Sequence, residues 1–385
     1  MEQLTLILII LFLVITLSPL LSKITRMPLI VVELIIGVIL GKSLFNIIPS
    51  HPLFDFFSSF GLIYLMFLAG LEVSFEEIKK SLSKTILIAV FSISVPFLAG
   101  VFLSYYIDVH PLLLGTVFST TSLGLILPLS KEFSRKGEFS HILLASVFLV
   151  DIASMFILAF SLSFITGSLS PSFIYSFIMI AILFIIPWLI NKGGIKNKIV
   201  RITSRGSRFS VMIRASFALI VVLSAVSDKL GFHSIIGAFI AGLIISEVTE
   251  KASLLEKQLE SFGYGFFIPF FFIIVGSKIN IPSIFSDLKN IKYLVIIVAI
   301  GILAKVIGVS FITKIKGFKI RECFSFGLFH SARLSMIIAV SEIGFELKLI
   351  NENIFSSLMI LAIISAIAGP SLGKLLLGEK AKLLK

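Results

Sequence analysis

The chain has 385 residues, of which 57% are hydrophobic and 14% charged, with a mean hydropathy of +1.12; no soluble fold of this size could hide so much apolar surface. Its net charge of +12 would suit a nucleic-acid partner, but the basic residues lie in short segments between apolar stretches. There they act as topology signals and attract anionic membrane lipid, which excludes nucleic acid.

Apolar stretches fall near 4–22, 28–42, 60–73, 85–107, 111–131, 140–167, 172–191, 209–227, 232–248, 262–277, 291–313, 320–341 and 353–376. Most reach or approach the ~20 residues that cross a bilayer. This predicts an all-α polytopic membrane protein with about thirteen transmembrane spans. Glu2 and the lack of a basic start separate the first stretch from a cleaved signal peptide. Loops after odd-numbered spans, with the C-terminal tail, hold 24 Lys and Arg, whereas loops after even-numbered spans hold only Lys42, Lys229, Lys278, Lys289, Lys292 and Lys348. The bias predicts a cell-membrane protein with its N-terminus outside and its C-terminus in the cytoplasm. Arg214, Lys305 and Arg333 are left over and fall inside spans. The single cysteine, Cys323, precludes an internal disulfide and reads as a small apolar filler. Five scattered histidines form no metal-ligand cluster or Ser-His-Asp arrangement, so an enzyme is not expected.

Two motifs repeat in order. IIGVILG (35–41) followed by FGLIYLMFLAGLEVSF (60–75) recurs as IIGAFIAGLIIS (235–246) followed by FGYGFFIPFFFIIVGSKINI (262–281). The offset is seven spans, and an odd offset places the two halves in opposite orientations. Inverted repeats are a signature of secondary transporters, whose sites lie near the midplane between the halves. By the same offset span 5 is the mate of span 12, and both carry polar runs in mid-span. Span 5 reads VFSTTSLGLILP, with Ser119, Thr120, Thr121, Ser122, Gly124 and Pro128; span 12 reads GLFHSARLSM, with Gly327, His330, Ser331, Arg333 and Ser335. Such runs predict a pair of discontinuous helices whose freed carbonyls and half-helix ends face an ion. Small-residue packing between helices is the structural alternative.

Asp151 lies near the middle of span 6, about 15 Å from its inner end at ~1.5 Å per residue, and Lys305 lies about 13 Å from the inner end of span 11. A carboxylate in hydrocarbon costs several kcal/mol unless protonated, paired or wetted. The matched depth predicts a pair poised for exchange, in which a cation at Asp151 displaces Lys305 or a proton neutralises either partner. A static salt bridge is the alternative, although an expensive way to obtain packing.

The ordered set PLIVVELIIGVILGKSLF, LIYLMFLAGLEVSFEEI, TTSLG, GAFIAGLIIS, FFIPFFFIIVGSKI and LAKVIG resembles the monovalent cation:proton antiporter-2 family, which includes Kef-type exchangers and several sodium/proton antiporters. The resemblance implies a homodimer with a scaffold of residues 1–80 and 209–288 and a moving core of residues 81–168 and 289–376. Residues 169–208 would link them, and 377–385 would form a short cytoplasmic tail. It also implies crossed broken spans 5 and 12 and elevator-like alternating access. Asp151 matches the family's ion-binding aspartate, Lys305 its partner lysine, and Thr120 to Gly124 the broken segment. Exchange of a monovalent cation, sodium ahead of potassium, for protons follows, with no resident cofactor. Thr120, Thr121, Ser122 and Ser154 are the expected helpers of Asp151. Two positions depart from the family: Val150 replaces a polar residue before the aspartate, and Arg333 lacks the glutamate usual two residues on, leaving Glu33 and Glu342 as its candidate partners. No nucleotide-binding GxGxxG motif follows span 13, unlike in regulated relatives. The alternatives are a sodium-coupled organic-anion symporter, with Arg333 and His330 holding the anion, and a Kef-like potassium efflux system.

Overall fold

The structure, a computed structural model, describes residues 2–25, 27–71, 82–123, 125–126, 138–165, 167, 208–230, 234–248 and 254–377. Every regular element among them is helical, as a bilayer requires, since a helix satisfies its backbone groups within one segment. In chain order these are α1 (Glu2–Thr25), α2 (Leu29–Leu40), α3 (Pro52–Leu71), α4 (Leu82–Ile107), α5 (Pro111–Ser119), α6 (Glu138–Ile165), α7 (Arg208–Lys229) and α8 (Ser234–Val248). Then come α9 (Leu254–Phe262), a π-turn (Gly263–Phe267), α10 (Ile268–Lys278), α11 (Ile281–Phe285), α12 (Leu288–Ile315), α13 (Ile320–Ser331), α14 (Ser335–Glu346) and α15 (Glu352–Leu376).

Among the described residues eight stretches are long and apolar enough to cross a membrane, and α13 with α14 adds a broken span bent by 40°. The elements agree with the predicted spans, with α2 and α8 among the shorter helices. Predicted span 7, Gly124, Pro128 and the tail beyond residue 377 lie outside the described residues. Polar side chains mark several ends: Asp287 accepts from the Lys289 N–H to start α12, and Asn351 accepts from Ile354 to start α15.

The chain forms two compact units, one of Met1–Ser50, Phe75–Ser161 and Phe272–Lys385, the other of His51–Ser74 and Leu162–Phe271. The second unit has an aromatic interior. Tyr64 is fully buried and donates its hydroxyl to the Leu259 carbonyl at 3.0 Å, and Phe57 stacks on Phe270 with centroids 4.7 Å apart. Here α3 and α8 touch backbone to backbone, since a Cβ on Gly70 would collide with the Phe239 carbonyl and lie 3.1 Å from the Gly242 Cα. The first unit makes the equivalent contact with the other members of the repeat: a Cβ on Gly37 of α2 would collide with the Ile273 carbonyl of α10 and lie 2.9 Å from the Gly276 Cα. At Gly37, Gly70, Gly242 and Gly276 the repeat helices therefore pack backbone to backbone. Gly70→Val forces α3 and α8 apart and costs about 1–3 kcal/mol, the usual range for overpacking. Thermal unfolding of the detergent-solubilised protein should show a lowered midpoint, and an unchanged one would mean that the contact is not needed.

Candidate ion-exchange site

The site is built where two helices stop short, and it lies within the first unit. Pro111 opens α5 behind His110. At the other end Ser119 Oγ bonds the Thr116 carbonyl at 2.8 Å and Thr120 Oγ1 bonds the Val117 carbonyl at 2.9 Å. Hydroxyls that bond back onto the preceding turn compete with helix continuation, and Thr120 is extended, with φ −62° and ψ 155°. The second break has the same chemistry: Ser331 Oγ bonds the Leu328 carbonyl at 2.7 Å, Ala332 is extended, and α14 resumes at Ser335. The two breaks bind each other. Ser122 N–H donates to the Ala332 carbonyl at 3.0 Å, Thr121 Oγ1 donates to the His330 carbonyl at 3.0 Å, and the Ser122 and Ser335 hydroxyls are 3.4 Å apart.

A helix that ends in mid-span leaves carbonyls and a partial negative charge in a dry interior. Two fully buried cations answer it. The Lys305 ammonium, from α12, donates to the Ser119 carbonyl at 2.5 Å and to the Ser92 carbonyl of α4 at 2.7 Å. Arg333 donates through Nε to the Thr120 carbonyl at 3.1 Å and through Nη2 to the Gly301 carbonyl at 2.7 Å, with its guanidinium 5.8 Å from the Phe118 ring centroid. The C-terminal end of α5 is thus capped by a lysine from α12 and an arginine from the break between α13 and α14.

Asp151 sits on α6 and is buried, with its carboxylate beside the Leu123 backbone N–H just past the first break. Its Oδ1 has no hydrogen-bond partner. Among the described residues no group of three or more His, Cys, Asp or Glu gathers. The hydroxyls of Thr120 and Thr121 give their hydrogens to the carbonyls described above, and Ser154 Oγ gives its own to Val150 at 2.7 Å. A hydroxyl oxygen that has donated its hydrogen still has lone pairs to offer.

The geometry differs from the sequence expectation in two respects. Asp151 and Lys305 form no ion pair; Lys305 is held by carbonyls instead. Equal depth fixes one coordinate of a residue but leaves open the face of the helix from which its side chain leaves. Nor does Arg333 meet either candidate carboxylate. Glu33 accepts from Ser18 Oγ at 3.2 Å between α2 and α1, and Glu342 pairs with Lys278. The sequence reading also left the His330 ring without a structural role. It lies between Ser92 Oγ and Ser146 Oγ, 3.0 Å from each.

A buried acid next to two mutually hydrogen-bonded helix breaks, in a chain of many apolar spans, is the architecture of a multi-pass membrane protein with discontinuous helices. Residues 8–378 match the family described as sodium/hydrogen exchanger, transmembrane, and the chain belongs to that family. It is 31% identical over 366 residues to the putative Na(+)/H(+) antiporter YjbQ of Bacillus subtilis, aligning 89% of this chain with 58% of that protein. It is 29% identical over 367 residues to the probable Na(+)/H(+) antiporter 3 of Methanocaldococcus jannaschii, which it matches over 93% of this chain and 92% of that one. The fold is that of the sodium proton antiporter MjNhaP1 of Methanocaldococcus jannaschii, with a TM-score of 0.69 at 18% identity over 98% of both chains.

Proposed function

We propose that the chain exchanges a monovalent cation, sodium ahead of potassium, for protons, with cation and proton competing for Asp151. One observation carries the reading: the buried Asp151 carboxylate lies at the helix break, with Oδ1 lacking any hydrogen-bond partner. A dehydrated cation needs a charge and several oxygens, and the carboxylate with Thr120, Thr121, Ser122 and Ser154 supplies both. A proton satisfies the same carboxylate. An uncompensated charge crossing hydrocarbon costs several kcal/mol, so the loaded site moves and the empty one stays, which couples the two gradients. The similar proteins named as Na(+)/H(+) antiporters support this substrate pair.

Within the family we place the chain in the monovalent cation:proton antiporter-2 group, on the motifs described above. A homodimer, elevator-like movement of a core made of residues 81–168 and 289–376, and a cytoplasmic C-terminus belong to the same proposal. Organic-anion symport is disfavoured by the engagement of Arg333 with the Thr120 and Gly301 carbonyls and of both His330 ring nitrogens with serine hydroxyls. The test is a preformed pH gradient in proteoliposomes, followed by fluorescence dequenching as Li⁺, Na⁺, K⁺ and Rb⁺ are added in turn. Na⁺ should collapse the gradient at the lowest concentration. Failure of every cation to do so would overturn the reading.

A further inference from the structure

His330 makes more contacts to the elements around the break than any exchange chemistry requires. Its carbonyl accepts from Thr121 Oγ1, its Nδ1 is 3.0 Å from Ser92 Oγ of α4, and its Nε2 is 3.0 Å from Ser146 Oγ of α6. The ring is fully buried. Donor and acceptor roles follow from counting hydrogens. Ser146 Oγ gives its hydrogen to the Leu143 carbonyl at 3.0 Å, so towards the ring it can only accept, and Nε2 carries the ring hydrogen. Nδ1 is then an acceptor and takes the Ser92 hydroxyl hydrogen. The bonds run in one direction, from Ser92 through the ring to Ser146 and on to the α6 backbone.

Ser92 has a second duty. Its backbone carbonyl is one of the two groups that hold the Lys305 ammonium, the other being the Ser119 carbonyl at the end of α5. A residue whose side chain is anchored by His330 thereby presents its main chain to Lys305. His330 also fixes the break directly through Thr121. We infer that His330 is a positioning residue for the cation site: by anchoring Ser92 it sets Lys305 against the end of α5, and so sets the Thr120–Ser122 segment that leads to Leu123, whose N–H meets Asp151. The inference rests on the exchange reading above. Ser146 lies on α6, five residues before Asp151, so the ring ties the acid's helix to α4 while the His330 carbonyl holds Thr121.

The two ring nitrogens can be tested separately. In His330→Asn the amide oxygen takes the place of Nδ1 and keeps the Ser92 bond, while the Ser146 bond is lost. In His330→Gln the amide nitrogen takes the place of Nε2 and keeps the Ser146 bond, while the Ser92 bond is lost. Ser92→Ala loses the same bond from the other side and leaves the Ser92 carbonyl in place. Each variant gives up one buried hydrogen bond, so the three should show similar falls in unfolding midpoint.

Only loss of the Ser92 arm should disturb the cation site. In proteoliposomes with Na⁺, His330→Gln and Ser92→Ala raise the KM for the cation about tenfold, the effect of one buried hydrogen bond on an equilibrium, with a smaller change in maximal rate. His330→Asn raises KM at most about threefold. Equal KM values for His330→Asn and His330→Gln, or a wild-type KM in Ser92→Ala, would overturn the inference and leave His330 as packing. A wild-type protein without Na⁺-dependent flux would instead overturn the exchange reading, so the two failures are distinguishable.

Discussion

Asp151→Asn abolishes cation-dependent proton flux in proteoliposomes while the protein still inserts and folds. Asparagine has almost the same shape, and Asp151 sits in the interior of α6 with no ion-pair partner among the described residues to be left behind. The change removes charge and the capacity to take up a proton, and little else. At about 4 Å and an effective dielectric of about 20, one unit charge contributes about 4 kcal/mol to holding a cation, roughly a thousandfold in affinity. The remaining proposed ligands are neutral hydroxyls and carbonyls, which cannot make up that difference. Flux should therefore fall to the level of protein-free liposomes at every pH and Na⁺ concentration tested, with unchanged yield and elution profile. A neighbouring variant serves as control: Ser154→Ala removes one candidate oxygen, whose hydroxyl hydrogen is already spent on Val150, and should weaken Na⁺ binding severalfold without abolishing exchange. Unchanged flux in Asp151→Asn would place the exchange site elsewhere.

The sequence carried the spans and the breaks in plain view because both are written in local composition. Apolar runs of bilayer length report helices, and the clustered hydroxyls at 119–122 and 331–335 stop α5 and α13 by bonding back to their own last turns. The acid was legible for the same reason, being one carboxylate in a long apolar run. Its surroundings were not. The partners of Lys305 and Arg333 are the carbonyls of Ser92, Ser119, Thr120 and Gly301. Every residue has a carbonyl, so no side-chain pattern marks these four. Opposite charge at equal depth points to Asp151 for Lys305, and the missing family glutamate points to Glu33 or Glu342 for Arg333; both arguments see only side chains. The signal that was available is physical: two helices ending in hydrocarbon must expose carbonyls, and buried cations without carboxylate partners are the groups suited to satisfy them.

That correction changes what Lys305→Gln should do. A lysine paired with Asp151 could release a proton each time a cation arrived, and its removal would then abolish any dependence of turnover on membrane voltage. A lysine that caps α5 acts differently. Its ammonium makes two charge-assisted bonds to carbonyls in the protein interior, each worth about 1.5–3 kcal/mol, and it opposes the negative end of a half-helix, worth up to about 2 kcal/mol where partly buried. Glutamine is shorter and uncharged, and can keep at most part of one bond. The expected result is a loss of stability of several kcal/mol, read as a lower unfolding midpoint, together with a smaller maximal rate because the break segment beside Asp151 is less firmly held. Voltage dependence, measured with potassium and valinomycin to set the membrane potential, should match the wild type, whatever its value there. Lys305→Arg keeps the charge and its donors and should recover most of the lost stability, limited by the larger guanidinium in a fully buried position. Loss of voltage dependence in Lys305→Gln with an unchanged unfolding midpoint would return Lys305 to the transport cycle as a proton carrier.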